Sequence, residues 1–111
     1  MKPQITLDMK KGRIRIHKSS LKMLDFPDFI YILVNPGTKK IAICKAKESD
    51  KDAIRISTDV RSYCDIYSKE LMFQISSLND RIVSNVSCCL SGEKKNDYLE
   101  YDVHIFEVLE K

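Results

Sequence analysis

No apolar stretch of this chain is longer than a β-strand. The longest, residues 29–34, is rich in residues that favour extended backbone. Residues 12–18 read Gly-Arg-Ile-Arg-Ile-His-Lys. That alternation puts Ile14 and Ile16 on one face of a strand and Arg13, Arg15 and His17 on the other. Period-two patterns of this length, broken by two short helical ones, call for an α+β fold: a mostly antiparallel sheet with two short helices. The chain has 111 residues, enough for one domain that buries roughly 65% of its unfolded surface.

Strands are expected at 4–8, 12–18, 29–35, 40–47, 53–57, 63–67, 81–90 and 98–109. Ser19 and Ser20 suit the N-cap of a short helix with Leu21 and Leu24 on one face. Pro27 should end that helix by requiring extended backbone before it. Asn35, Pro36, Gly37 and Thr38 form a turn between two strands, with Gly37 as the residue that tolerates positive φ. Ser68 caps a second helix, 69–78, whose apolar face is Leu71, Met72, Ile75 and Leu78. A polar turn is expected at 92–97. Shifting the chain by 50 residues places Ile66 on Ile16, Tyr67 on His17 and Leu71 on Leu21. Two strand–helix–strand–strand units, about 10–57 and 62–111, then follow the same order. Duplication explains this; so does the chance alignment of two common units.

Four cysteines, Cys44, Cys64, Cys88 and Cys89, form no C-x-x-C pair, and neither His17 nor His104 flanks them. They are expected to be reduced, buried thiols, with Cys88 and Cys89 on opposite faces of one strand. The start of the chain has no apolar segment of the signal-peptide kind. A cytoplasmic protein without a membrane span is expected. The three glycines are isolated, so no phosphate-cradling loop is formed. Asp50 and Asp52 lie in a polar loop as solvated charges. No nucleophile, general base or metal cluster stands out, so an enzyme is not expected and no cofactor is implied.

Charge is the feature with functional content. The chain carries a net +3, but residues 1–61 carry +7 and residues 62–111 carry −4. Between residues 10 and 47 stand ten basic side chains against Asp25 and Asp28 alone. Lys11, Arg13, Arg15, Lys18 and Lys22 are the candidate nucleic-acid contacts. Lysine and arginine supply most phosphate contacts, and a two-stranded ribbon carrying arginines fits a major groove. Strand charges also serve to block aggregation, and carboxylates such as Glu100 and Asp102 could neutralise the two arginines.

Residues Lys11 to Ile16, a short helix ending at Leu24, the strand with Ile30, Ile32 and Val34, and the returning Ile41-Ala42-Ile43-Cys44-Lys45 together resemble the AbrB/SpoVT/MraZ group of swapped-hairpin DNA-binding domains. The likeness covers about a third of the chain, and the rest is similar to small bacterial proteins. His17 stands where that group usually has proline, and Asp28-Phe29 where it has a Gly-Asp turn. The second unit lacks the Gly-Arg-Ile segment. The resemblance implies a small bacterial DNA-binding regulator, a homodimer matched to a repeated or palindromic site. Another class also fits the charge asymmetry: a protein-interaction module, in which the acidic half of one chain meets the basic half of another or a separate partner. A duplicated clamp or TATA-binding-like fold would move the DNA contact to a concave sheet.

Overall fold

The alternating segments pair into one sheet. A computed structural model describes residues 2–56, 62–78 and 87–103. Within them the chain runs β1 (Gln4–Asp8), β2 (Arg13–His17), α1 (Lys18–Met23), β3 (Phe29–Asn35), β4 (Lys40–Ala46), β5 (Ile54–Arg55), β6 (Tyr63–Tyr67), α2 (Lys69–Ser76), β7 (Ser87–Lys95) and β8 (Tyr98–Asp102). The spatial order is β5-β3-β4-β8-β7-β1-β2-β6, and every pairing is antiparallel. The expected mostly antiparallel sheet with two helices is therefore present. No helix among the described residues is long and apolar enough to cross a membrane.

Parity decides what is buried. Ile5 pairs with Ile16, and Ile16 with Cys64; Leu7 pairs with Ile14, and Ile14 with Ile66. All six side chains belong to one buried cluster, which also takes in Ile41, Ile43, Leu99 and Tyr101 from the other end of the sheet. Leu21 and Leu24 of the first helical segment, and Met72, Ile75 and Leu78 of the second, close the cluster. Each such aliphatic side chain removed from water contributes about 1.5–3 kcal/mol.

One strand joins the two ends. Residues Ser87 to Ser91 of β7 pair with β1, whereas Gly92 to Lys95 pair with β8. The expected turn at 92–97 is thus wrong: β7 runs through Gly92 to Lys95, and the hairpin closes at Asn96 and Asp97. Gly92 sits where the backbone presses on the Tyr101 ring; a Cβ there would lie 2.4 Å from the Glu100 carbonyl oxygen and 2.6 Å from the ring. A glycine in a strand marks such close approaches as often as it marks a turn. The Tyr101 hydroxyl reaches across the core to hydrogen-bond Ser20.

Three local expectations are corrected, the first by longer-range bonds. Helix α1 starts at Lys18, with His17 at the N-cap and no side-chain cap. Ser19 and Ser20 do not cap it because they hold β1: Ser19 Oγ accepts from the Gln4 amide (3.1 Å) and Ser20 Oγ donates to the Gln4 carbonyl (2.8 Å). The helix is ended by Asp25 and Phe26 in left-handed backbone (φ 67° and 48°), not by an extended residue before Pro27. Between β3 and β4, positive φ falls on Lys39 (58°), not Gly37. Asn35 Oδ1 accepts from the Gly37 and Thr38 amides, so the loop is longer than a two-residue turn. Ser68 does cap α2, accepting from the Leu71 amide. The strand expected at 81–90 is described only from Ser87, and the one expected at 98–109 ends at Asp102 within the described residues. His104 lies outside them.

Adding a methyl group at Gly92 should force β7 and β8 apart. Gly92→Ala is expected to cost about 3 kcal/mol, at the upper end for overpacking. It should appear in urea unfolding as a lower midpoint at unchanged slope.

Candidate binding surface

Arg13 and Arg15 point away from the core because Ile14 and Ile16 point into it. The expected shared face is real, but β2 is not a free ribbon: it lies between β1 and β6. Each arginine therefore has a neighbour across the strand on both sides. Asp8 stands opposite Arg13, and Asp65 opposite Arg15. Asp65 accepts from Arg15 Nε at 2.7 Å and from Arg15 Nη2 at 2.9 Å, a two-pronged pair. Arg13 Nη2 donates to Asp8 Oδ2 at 3.0 Å and its Nη1 lies 3.6 Å from Asp65. The Arg13 side chain is only 16% exposed. The Arg15 guanidinium also sits 4.0 Å from the centre of the Tyr63 ring, a favourable cation–aromatic stack.

These contacts set the titration of the face. The hydrogen bond from Arg15 holds the Asp65 carboxyl below its ordinary range, with the positive charges of Arg15, Arg13 and Lys11 adding to it against the opposing effect of burial. His17, whose Nε2 lies 2.6 Å from Thr6 Oγ1, is lowered by burial and then by Arg15. Of the carboxylates named from the sequence, Glu100 is engaged elsewhere: it lies 3.3 Å from Lys40 and 4.0 Å from Lys95.

The five expected contact residues are spread along and beyond β2 and differ in exposure. Lys11 stands at the start of β2, and Lys18 and Lys22 beyond its other end. Lys11 and Lys18 stand seven positions apart, roughly 20 Å if the backbone between them is extended. All three lysines are exposed, while both arginines between them are half-buried.

A second surface was not expected. The turn from Met9 to Gly12 packs against the start of α2 and leaves an open groove of about 790 Å³. Lys10, Lys11 and Lys69 rim it; Tyr67, Met72 and Phe73 supply its apolar surface. Phe73 is 76% exposed and Tyr67 64%. The groove walls are held by two hydrogen bonds: the Ser68 amide donates to the Gly12 carbonyl (3.4 Å), and the Lys11 amide to the Asp8 side chain at Oδ1 (3.2 Å). The signal for it was present in the sequence, since Phe73 falls off the apolar face of α2. Nothing local showed that residues 9–12 would lie beside it.

The thiols divide by parity. Cys88 and Cys64 are buried, Cys44 is half-buried and Cys89 is exposed, so the expectation of four buried thiols is corrected for the last two. Burial pushes the Cys88 thiol up to about 12, which makes it a poor nucleophile. Comparison with protein-family models, with curated proteins and with solved structures returns no match to this chain.

The Asp65 shift has a defined sign. A carboxyl depressed in the folded state adds stability above its unfolded pKa of about 3.9, and that stability is lost as pH falls through the folded value. Replacing Asp65 by Asn should therefore lower the urea midpoint at pH 7. It should also flatten the fall of that midpoint between about pH 5 and pH 2.

Proposed function

We propose that this chain is a protein-interaction module. The observation that carries this reading is where its positive charge is matched. The arginines that a nucleic-acid reader would hold free are bonded to Asp8 and Asp65. Lys10, Lys11 and Lys69 form no ion pair among the described residues, and they surround exposed aromatic surface instead. A groove of this size, held by hydrogen bonds on its walls and rich in aromatic and methionine side chains, suits a protein ligand. No chemistry is assigned to it.

The DNA-binding reading stands second and rests on a different observation. Two units, β2-α1-β3-β4 and β6-α2-β7-β8, follow one order. Each unit's first strand pairs with the other's first strand, and each last strand with the other's last. Interleaving of this kind supports a duplication and an organisation similar to that of the swapped-hairpin group. In that reading Lys11, Lys18 and Lys22 contact phosphates, while Arg13 and Arg15 contribute by holding the sheet. A dimer of the chain would double those contacts.

Site-specific photo-crosslinking separates the two. With a benzophenone side chain in place of Phe73 in the full chain, irradiation of living cells should yield an adduct that protease degrades and nuclease leaves intact. A nuclease-sensitive adduct, or none above that of the same probe at Lys47, would refute the module reading.

A further inference from the structure

The exposed stripe of α2 is spaced like a helix–helix seam. Lys69, Met72, Phe73 and Ser76 line the groove and stand at i, i+3, i+4 and i+7, the positions that one packing partner covers. The core-facing stripe, Met72, Ile75 and Leu78, adjoins it and shares Met72. Within this stripe Met72 is only 7% exposed and Phe73 is 76% exposed, with Tyr67 beside it at 64%. Aromatic groups of this kind are the usual anchors of an interface.

The charge around the stripe has one sign. Lys10 and Lys11 approach from the Met9–Gly12 turn and Lys69 from the helix start, and no carboxylate lines the groove. Among the described residues, Glu70 joins Asp50, Asp52 and Lys51 around a separate groove of about 640 Å³ on the helix's other side, while Asp8 and Asp65, the carboxylates nearest Lys11, are taken up by Arg13 and Arg15. The two grooves beside α2 are therefore lined by opposite net charge: three lysines in one, three carboxylates and Lys51 in the other. A partner that lays an apolar stripe against Phe73 and Met72 must bring negative charge to the lysines, and a positively charged one would be repelled.

We propose that this groove binds an acidic amphipathic helix of another protein, with apolar residues at helical spacing seated on Phe73, Met72 and Tyr67 and carboxylates facing Lys10, Lys11 and Lys69. The proposal rests on the protein-interaction reading and names its ligand. The walls are already held by the Ser68–Gly12 backbone bond, so binding orders little of the module itself, which favours affinity. Lysine rather than arginine at the rim gives point charges on flexible stems, suited to carboxylates at varied positions rather than one fixed two-pronged pair. Specificity then comes from the apolar anchor, and attraction over distance from the rim.

Fluorescence anisotropy on the full chain tests this. The probe is a labelled helical peptide with Leu and Phe along one stripe and Glu elsewhere. Three competitors accompany it: the same peptide with Lys for Glu, polyglutamate, and oligo-dT. The acidic amphipathic peptide should bind saturably and weaken with added salt. Phe73→Ala and the pair Lys10→Glu with Lys69→Glu should each weaken it by about fivefold or more. Because Phe73 is exposed, Phe73→Ala should leave the thermal midpoint unchanged, which separates lost binding from lost folding. Equal binding of the Lys peptide or of polyglutamate would overturn the proposal, as would tighter binding of oligo-dT or no binding of the probe. So would light scattering that shows self-association abolished by Phe73→Ala, because the occupant would then be a second copy. A protein adduct at position 73 in cells without affinity for the acidic probe would leave the module reading intact and remove only the ligand named here.

Discussion

The parity of β2 is the constraint on which the rest of this structure depends. Ile14 and Ile16 are buried between the side chains of β1 and β6. A slip of one residue would send Arg13 and Arg15 into the core and leave two isoleucines in water. Burial of the isoleucines thus fixes the register, and the register fixes the charges. Arg15 meets Asp65 and Arg13 meets Asp8 because those are the residues that a fully apolar inner face places opposite them. The ion pairs are half-buried, so the attraction within each is offset in part by the cost of taking its charges out of water. Their consequence is electrostatic: the most cationic strand of the chain presents little free charge.

The same logic explains why the two ends of the sheet behave as one body. Strand β7 pairs with β1 over its first half and with β8 over its second, and Gly92 at the change of partner lets the Tyr101 ring lie on the backbone. The Tyr101 hydroxyl then reaches Ser20, and Ser20 holds Gln4 of β1. Strand, helix and far hairpin are tied through one buried polar chain in an otherwise apolar interior. Buried polar groups persist where each is satisfied, and here each hydroxyl has a partner. The groove beside α2 inherits this rigidity, since the Met9–Gly12 turn that forms one wall joins β1 to β2.

How much of this was legible in the sequence follows from how local each determinant is. Alternation in 12–18, the apolar run in β3 and the Ser68 cap are short-range patterns, and they placed β2, β3 and α2 within a residue or two. Ser19 and Ser20 looked like caps because capping is a local habit of serine, but their hydroxyls are committed to Gln4, fifteen and sixteen residues away. Gly92 looked like a turn because its true role, making room for Tyr101, is set by a strand not yet traced. The charge asymmetry was visible at once. That Asp8 and Asp65 would meet the arginines was not, because Asp65 is fifty residues from Arg15 in sequence and joins it only through the β2–β6 register. The groove was hidden for the same reason: Phe73 off the apolar face of α2 was readable, but two of the three lysines at its rim, Lys10 and Lys11, come from a distant turn.

The account turns on whether the arginines of β2 are occupied by the protein's own carboxylates in solution. Side-chain nuclear magnetic resonance of the arginine Nε–Hε groups reports this directly. If Asp65 holds Arg15 as described, the Arg15 Hε signal is resolved, exchanges slowly with water at neutral pH, and keeps its position when duplex DNA is added at low salt. An Arg15 Hε that exchanges as fast as that of free arginine, and moves on addition of DNA, would show that the charge of β2 is available to a polyanion and would contradict the account.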